Sequence, residues 1–226
     1  MLREKNMSKR IVVTGAAGTL GRTVVEMLHT RGIITVGIDL GESAAARGEF
    51  IGGVDLGDAD AVEAAFAGVS AGGPVDGLVN IAGGFCWETI ADGSPQSWEH
   101  MFQLNVMTAL NACRAVLPLL SDGGSIVNIG AAATVRAAAG MGAYTASKSG
   151  VARLTEALAE EGKSKCIRVN AILPSIIDTP ANRQDMGERD SAKWVTTEEI
   201  GEVIAFLVSD AASGVTGASI PVTGRV

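Results

Sequence analysis

Short runs of β-branched and aliphatic residues alternate along the chain with longer segments in which apolar positions recur every three or four residues. Ile11–Thr14 leads into a helical period over Thr19–Arg31 and then into Ile33–Asp39, which predicts strand, helix, strand. A shorter strand is expected at Gly52–Asp55, followed by a helix over Asp58–Ala67. The same alternation continues with strands at Val75–Asn80, Ser125–Ile129 and Ile167–Leu173, separated by helices over Pro95–Leu120 and Ala143–Glu161. A helix near Thr197–Ser209 and a strand near Ser219–Val222 close the pattern, for about seven strands. Strands that alternate with helices in this way make a parallel sheet covered on both faces. The polar stretch Pro180–Lys193 lacks a periodic face and reads as a loop beyond the strand ends.

Composition sharpens this picture. A chain of 226 residues with 47% hydrophobic and 19% charged residues can bury a core without metal or disulfide support. No internal repeat or linker divides it, so residues 11–226 read as one domain behind a polar extension, residues 1–10. Met7 offers an alternative start within that extension. The extension lacks the apolar core of a secretion signal and no long apolar run follows, so the expectation is a cytoplasmic protein with no membrane partner. A net charge of −7 gives no basic face for nucleic acid. Cys86, Cys113 and Cys166 are odd in number and widely spaced, and read as buried, reduced thiols. His29 and His100 lack partners at ligand spacing, so no metal site is expected.

Candidate chemistry begins at the first strand-to-helix turn, Thr14–Gly21, which carries Gly15, Gly18 and Gly21. Glycines there let the backbone turn tightly and approach a diphosphate, and the helix N-terminus offers free N–H donors and partial positive charge. Asp39 ends the second strand, 18 residues after Gly21, where a carboxylate can accept both hydroxyls of an adenosine ribose and would repel a 2′-phosphate. The reading is NAD(H) in preference to NADP(H). Asp55 and Leu56 follow the third strand, and Asn80, Ala82 and Gly83 the fourth, at the ends where adenine and ribose would lie; for Asn80, bracing of a loop is an equal alternative. Tyr144 and Lys148 stand one helical turn apart at the start of the helix that contains them. A phenol near its ordinary pKa is a poor acid or base at neutrality, and a neighbouring cation would favour the phenolate.

Taken together, Thr14–Gly21, Asn80–Gly83, Asn105, Tyr144–Lys148 and Pro174–Pro180 resemble, in order and along almost the whole chain, the short-chain dehydrogenases/reductases. The resemblance implies a single Rossmann-type, doubly wound α/β domain that passes hydride between a nicotinamide cofactor and a small carbonyl or alcohol substrate. It implies that Tyr144 exchanges a proton with the substrate oxygen and that Lys148 binds ribose and lowers the phenol's pKa. Asn105 would hold a water of the proton relay. Gly15, Gly18, Thr19, Leu20 and Gly21 would border the diphosphate, while Pro174, Ile177 and Thr179 would border the nicotinamide end.

The chain departs from the family at three places. Thr19 stands where a middle glycine is usual, Ser175 follows Pro174 where glycine is usual, and Ala131 occupies the position of the catalytic serine, 13 residues before Tyr144. Loss of one such donor costs about 100- to 1,000-fold in acyl transfer. Thr134 is the nearest hydroxyl. The quinonoid dihydropteridine reductases, a branch of the family, naturally lack that serine, and Ala82–Phe85, Gly140–Tyr144 and Leu173–Arg183 are similar to them. On that likeness Phe85, Trp87, Ala131, Met141, Met186 and Trp194 would line the substrate pocket, and a quinonoid pterin or quinone is the alternative substrate. A nucleotide-binding protein without catalysis is the alternative of another class. Trp98, Phe102, Val106, Leu110 and Leu117, with Val151, Leu154 and Leu158, make two helices more apolar than one sheet-facing stripe requires, and point to a homodimer or homotetramer.

Overall fold

The pairing order of the strands sets where everything else can go. The computed structural model describes residues 8–42 and 47–226. Strands β1 (Arg10–Thr14), β2 (Ile34–Ile38), β3 (Glu49–Ile51), β4 (Val75–Asn80), β5 (Leu120–Ile129), β6 (Arg168–Pro174) and β7 (Ser219–Val222) form one sheet in the order β3-β2-β1-β4-β5-β6-β7. Every neighbouring pair is parallel. Helices α1 (Thr19–Thr30), α2 (Ala59–Ala71), α3 (Pro95–Phe102), α4 (Thr108–Val116), α5 (Gly142–Glu161), α6 (Pro180–Met186) and α7 (Thr197–Leu207) lie between them. No helix of the described residues is long and apolar enough to cross a membrane.

Alternating residues of each strand face opposite layers. Ile11, Val13, Val79 and Val127 pack with Val24, Val25 and Leu28 of α1 and Ile200, Ile204 and Leu207 of α7. Val12, Val36, Leu78 and Ile126 pack on the other side with Val62, Phe66 and Val69 of α2, Val116 of α4 and Leu158 of α5. The result is a three-layer sandwich of the Rossmann type. Because β1 is flanked by β2 and β4, the chain winds outward in both directions from it, and a crevice opens beyond the carboxyl ends of these strands.

Several expectations need correction. The third strand is Glu49–Ile51, not Gly52–Asp55: Gly53 sits at φ +71°, so the chain turns where the apolar run had suggested extension. The helix expected over Pro95–Leu120 is α3, a π-helical turn at Gln103–Met107 and α4, which ends at Val116. Pro180–Lys193 is not a plain loop. The Thr179 side chain caps α6 by accepting from Asn182 N, and Pro180 presets the first turn, local signals that hydrophobic periodicity misses. Strand β1 begins at Arg10, which is buried and bonds Glu49 and Val69, so the domain reaches into the expected extension, whose residues 1–7 lie outside the described residues. Of the cysteines only Cys113 is buried; Cys166 is exposed beyond a 3₁₀ turn at Gly162–Lys165. Val106, Val151 and Leu158 are consumed by the chain's own core, whereas Trp98 and Phe102 stay exposed on α3.

The first turn shows why two of its glycines differ. A Cβ on Gly21 would lie 2.0 Å from the Gly15 carbonyl oxygen and 2.8 Å from Ala16 Cα, both backbone atoms, whereas a Cβ on Gly18 meets only ordinary contact at 3.4 Å. Gly21→Ala should therefore destabilise by about 1–3 kcal/mol and lower the urea midpoint, while Gly18→Ala stays within about 0.5 kcal/mol of the parent protein. Equal midpoints for the two variants would contradict the close approach.

Candidate active site

The crevice is a cleft of about 650 Å³ that runs from the first turn to α6. Its wall carries Gly15, Gly18, Thr19, Leu20 and Gly21 from the turn, Asp39 from the end of β2, and Asp55 and Leu56 beyond β3. Ala82, Gly83 and Phe85 follow from beyond β4, Tyr144 and Lys148 from α5, and Pro174, Ile177 and Thr179 from beyond β6. Gly18 is the N-cap of α1, with no side-chain cap and no acidic residue in the first turn, so the helix opens with N–H groups directed at the cleft. Asp39 accepts from Ala17 N through Oδ2 and from Gly41 N through Oδ1, each at 2.9 Å, which fixes its carboxylate at the rim.

At the other end of the cleft, Lys148 is buried and donates to the Ile129 carbonyl at 2.8 Å. No carboxylate among the described residues pairs with it, and burial pushes its amine down to about 8. The Tyr144 phenol bonds to no group among the described residues, and the Phe85 ring meets it edge-on, with centroids 4.9 Å apart. Burial pushes the phenol up to about 12. This direction is opposite to the one the family resemblance implied. The ammonium is turned onto Ile129 and is itself penalised by burial, so desolvation of the phenolate dominates.

Asn105 lies in the π-turn, a local widening of the helix often found at functional sites, and is 1% exposed. Its amide nitrogen donates to Gly84 O at 3.1 Å and to Ser147 Oγ at 3.0 Å, and its oxygen accepts from Gly84 N at 3.0 Å. Ser147 in turn donates to Tyr144 O. Both amide hydrogens are thus committed to protein, so the side chain joins the Gly84–Phe85 segment to the Tyr144 turn and has none left to donate to a relay water. Gly83 is required nearby, since a Cβ there would come within 2.6 Å of Asn105 Oδ1 and 3.3 Å of Lys148 Nζ.

Other expected residues fall outside the cleft wall. Asn80 is buried and braces the sheet, donating to Asn128 Oδ1 while Asn128 donates to Thr155. Ala131 is buried, and Thr134 turns its hydroxyl back onto the Ala131 carbonyl at 2.7 Å. Trp194 is buried, Met186 is exposed on α6, and Met141 and Trp87 stand outside the lining. Lining residues that the sequence pattern did not suggest include Leu40, Leu104, Thr108, Gly130 and Asn182. Of these, Leu40 directly after Asp39 and Gly130 directly after β5 followed legible strand ends.

The donor set fits a nicotinamide dinucleotide. An uncapped helix N-terminus suits a diphosphate, the rim carboxylate suits ribose hydroxyls, and a Cβ at Gly15 would fill the turn, meeting Ala82 N at 2.7 Å.

Comparison with known proteins gives a consistent picture. A family model described as enoyl-(acyl carrier protein) reductase matches residues 15–224. A short-chain type dehydrogenase/reductase of Sinorhizobium fredii is 30% identical over 242 residues, 98% of this chain, although the chain spans only 44% of that protein's length. The L-xylulose reductase of Bos taurus is 29% identical over 96% of this chain and 95% of its own. Among solved structures, the ligand-free aldohexose dehydrogenase of Thermoplasma acidophilum superposes with a TM-score of 0.89 at 26% identity, over 96% of this chain and 93% of its own.

The buried lysine makes stability depend on pH. Unfolded, its amine titrates near the ordinary 10.5; folded, it titrates near 8. Between these values the unfolded chain holds the extra proton, so stability rises with pH by about 1.4 kcal/mol per unit, roughly 3 kcal/mol across the window. Urea unfolding of the parent protein and Lys148→Met should converge or cross in the parent's favour between pH 8 and 10.5, with Tyr144 present in both. A stability difference flat across that range would show that the amine is not desolvated.

Proposed function

Because the chain belongs to the short-chain dehydrogenase/reductase family, we propose that it is an NAD(H)-dependent oxidoreductase acting on a small carbonyl or alcohol substrate, with Tyr144 as its acid/base. The observation that carries this reading is the convergence, in one cleft, of the uncapped α1 N-terminus, the Asp39 carboxylate and the Tyr144–Lys148 turn. The family's members use nicotinamide cofactors. The choice of NAD(H) rests on Asp39, whose fixed carboxylate would bond ribose hydroxyls and repel a 2′-phosphate.

The bound dinucleotide supplies or accepts a hydride at the substrate carbon. The chain's residues place that carbon and move the proton. Tyr144 gives its hydroxyl proton to the substrate oxygen as the carbonyl carbon gains the hydride; the C=O π bond is replaced by C–H and O–H, and the phenolate regains a proton from solvent. Lys148, held over the cleft by Ile129, offers hydrogens to ribose and steadies the phenolate as it forms. Asn105 sets the distance between the two loops that meet at Tyr144. A phenol that burial keeps protonated suits the reductive direction. With Ala131 in place of the usual serine, the acid assigned to this end of the cleft is the Tyr144 phenol.

The relatives include two sugar enzymes, an L-xylulose reductase and an aldohexose dehydrogenase. A second reading, reduction of a quinonoid pterin or quinone, is favoured by one observation, the Phe85 ring against Tyr144. A cytoplasmic homodimer or homotetramer is proposed with it, on the exposed Trp98 and Phe102 of α3.

The test is turnover with two cofactors. NADH should exceed NADPH in kcat/KM by tenfold or more, and Asp39→Ala should narrow that ratio. Tyr144→Phe should lower turnover by about 100-fold or more while the Kd for NADH changes less than twofold. An unchanged rate in Tyr144→Phe would remove the phenol from the chemistry, whereas tight NADH binding by the parent protein with no turnover at all would favour a nucleotide-binding protein.

A further inference from the structure

We propose, building on the oxidoreductase reading above, that the substrate is an uncharged carbonyl compound built on an apolar ring, and that Phe85 is the residue that selects it. Charge comes first. The charged side chains in the cleft wall are Asp39, Asp55 and Lys148. Both aspartates sit beyond β2 and β3, taken up by backbone N–H groups, Asp55 by Gly57 N at 2.8 Å. Lys148 is buried and turned onto Ile129 O. At the α6 rim, Arg183 is held by both oxygens of Asp178, at 2.6 and 2.8 Å. A carboxylate or phosphate on the substrate would thus find no free cation among the described residues of this wall, and burying an unpaired anion is costly.

Hydroxyl-rich substrates are met no better. Ser175 donates to Thr223 O, Thr108 to Leu104 O and Asn182 to Ile177 O, while Thr179 caps α6. These polar side chains of the wall are turned onto their own backbone, so a polyhydroxylated substrate would lose water contacts that few groups here replace.

What the site does offer is rigid aromatic surface. Phe85, in the cleft wall, is 57% exposed, and Trp87, two positions on and outside the wall, is 61% exposed. Neither ring hangs from a loose loop. The peptide before Phe85 is gripped from both sides by Asn105, and the ring itself rests edge-on against Tyr144. Trp87 lies so close over Gly140 that a Cβ there would come within 2.2 Å of its ring, and Glu88 N donates to Gly140 O at 2.8 Å. An apolar ring held still beside the acid, with half its surface in water, gains most when a flat apolar ligand covers it, because little ordering remains to be done on binding.

The experiment compares three carbonyl compounds as substrates for NADH oxidation: cyclohexanone, 4-oxocyclohexanecarboxylate and dihydroxyacetone. The parent protein should favour cyclohexanone in kcat/KM by tenfold or more over each of the others. Phe85→Ala should lose that preference by tenfold or more, chiefly through KM, with the Kd for NADH unchanged, and Phe85→Leu should restore part of it. Unchanged NADH binding and thermal melting show that each variant is folded. Turnover led by the carboxylate or the polyol would overturn the ring-ketone proposal and leave the oxidoreductase reading standing, as would an unchanged preference in Phe85→Ala. If none of the three oxidises NADH, the ring-ketone proposal is overturned, and a failure to bind NADH as well would defeat the oxidoreductase reading.

Discussion

The reversal of strand order at β1 is the constraint on which the remaining architecture depends. Parallel strands joined by crossovers must place helices above and below the sheet, and β1 sends β2 to one side and β4 to the other. Strand β1 leads into α1 on one face and β4 toward α4 on the other, so the connections beyond their paired carboxyl ends diverge and leave an opening between them. The first turn can close against Ala82 only because Gly15 and Gly21 carry no side chain, so the same contact that ties α1 to the sheet also points its free N–H groups into the opening.

Within that opening, desolvation outweighs charge. Lys148 lies buried with a carbonyl as its partner, and Tyr144 lies against an aromatic edge; each is pushed toward its neutral form. Desolvation of the phenolate outweighs the attraction of the nearby ammonium, so the phenol stays protonated near neutral pH and is available as an acid. The π-turn at Gln103–Met107 makes this possible. It turns Asn105 inward, where one carboxamide holds the loop that carries Phe85 and the helix turn that carries Tyr144.

Much of this was legible in the order of residues, because strands buried on both faces are written as β-branched runs and the glycine turn has a mechanical meaning at each position. Val75–Asn80 and Ser219–Val222 were recoverable to the residue. Where the reading failed, short-range chemistry overrode the pattern. Glycine pairs at Gly52–Gly53 resemble a continuing strand until their conformation is known, and a Thr-Pro cap makes α6 without any apolar stripe. In the site, the residue types were legible but their partners were not: that Asn105 spends both amide hydrogens on protein, that Asn80 braces the sheet and that Trp194 is buried are matters of tertiary contact.

Tyr144 is the only tyrosine in the chain, so a single isotope label placed on the phenol carbon of tyrosine reports this one group by NMR. Titration of the ligand-free protein should show one signal that remains at the neutral-phenol position through pH 10.5, in keeping with burial as the dominant influence. A signal already at the phenolate position near pH 7 would contradict that ordering of effects and would mean that the Lys148 cation, not desolvation, governs the acid of this site.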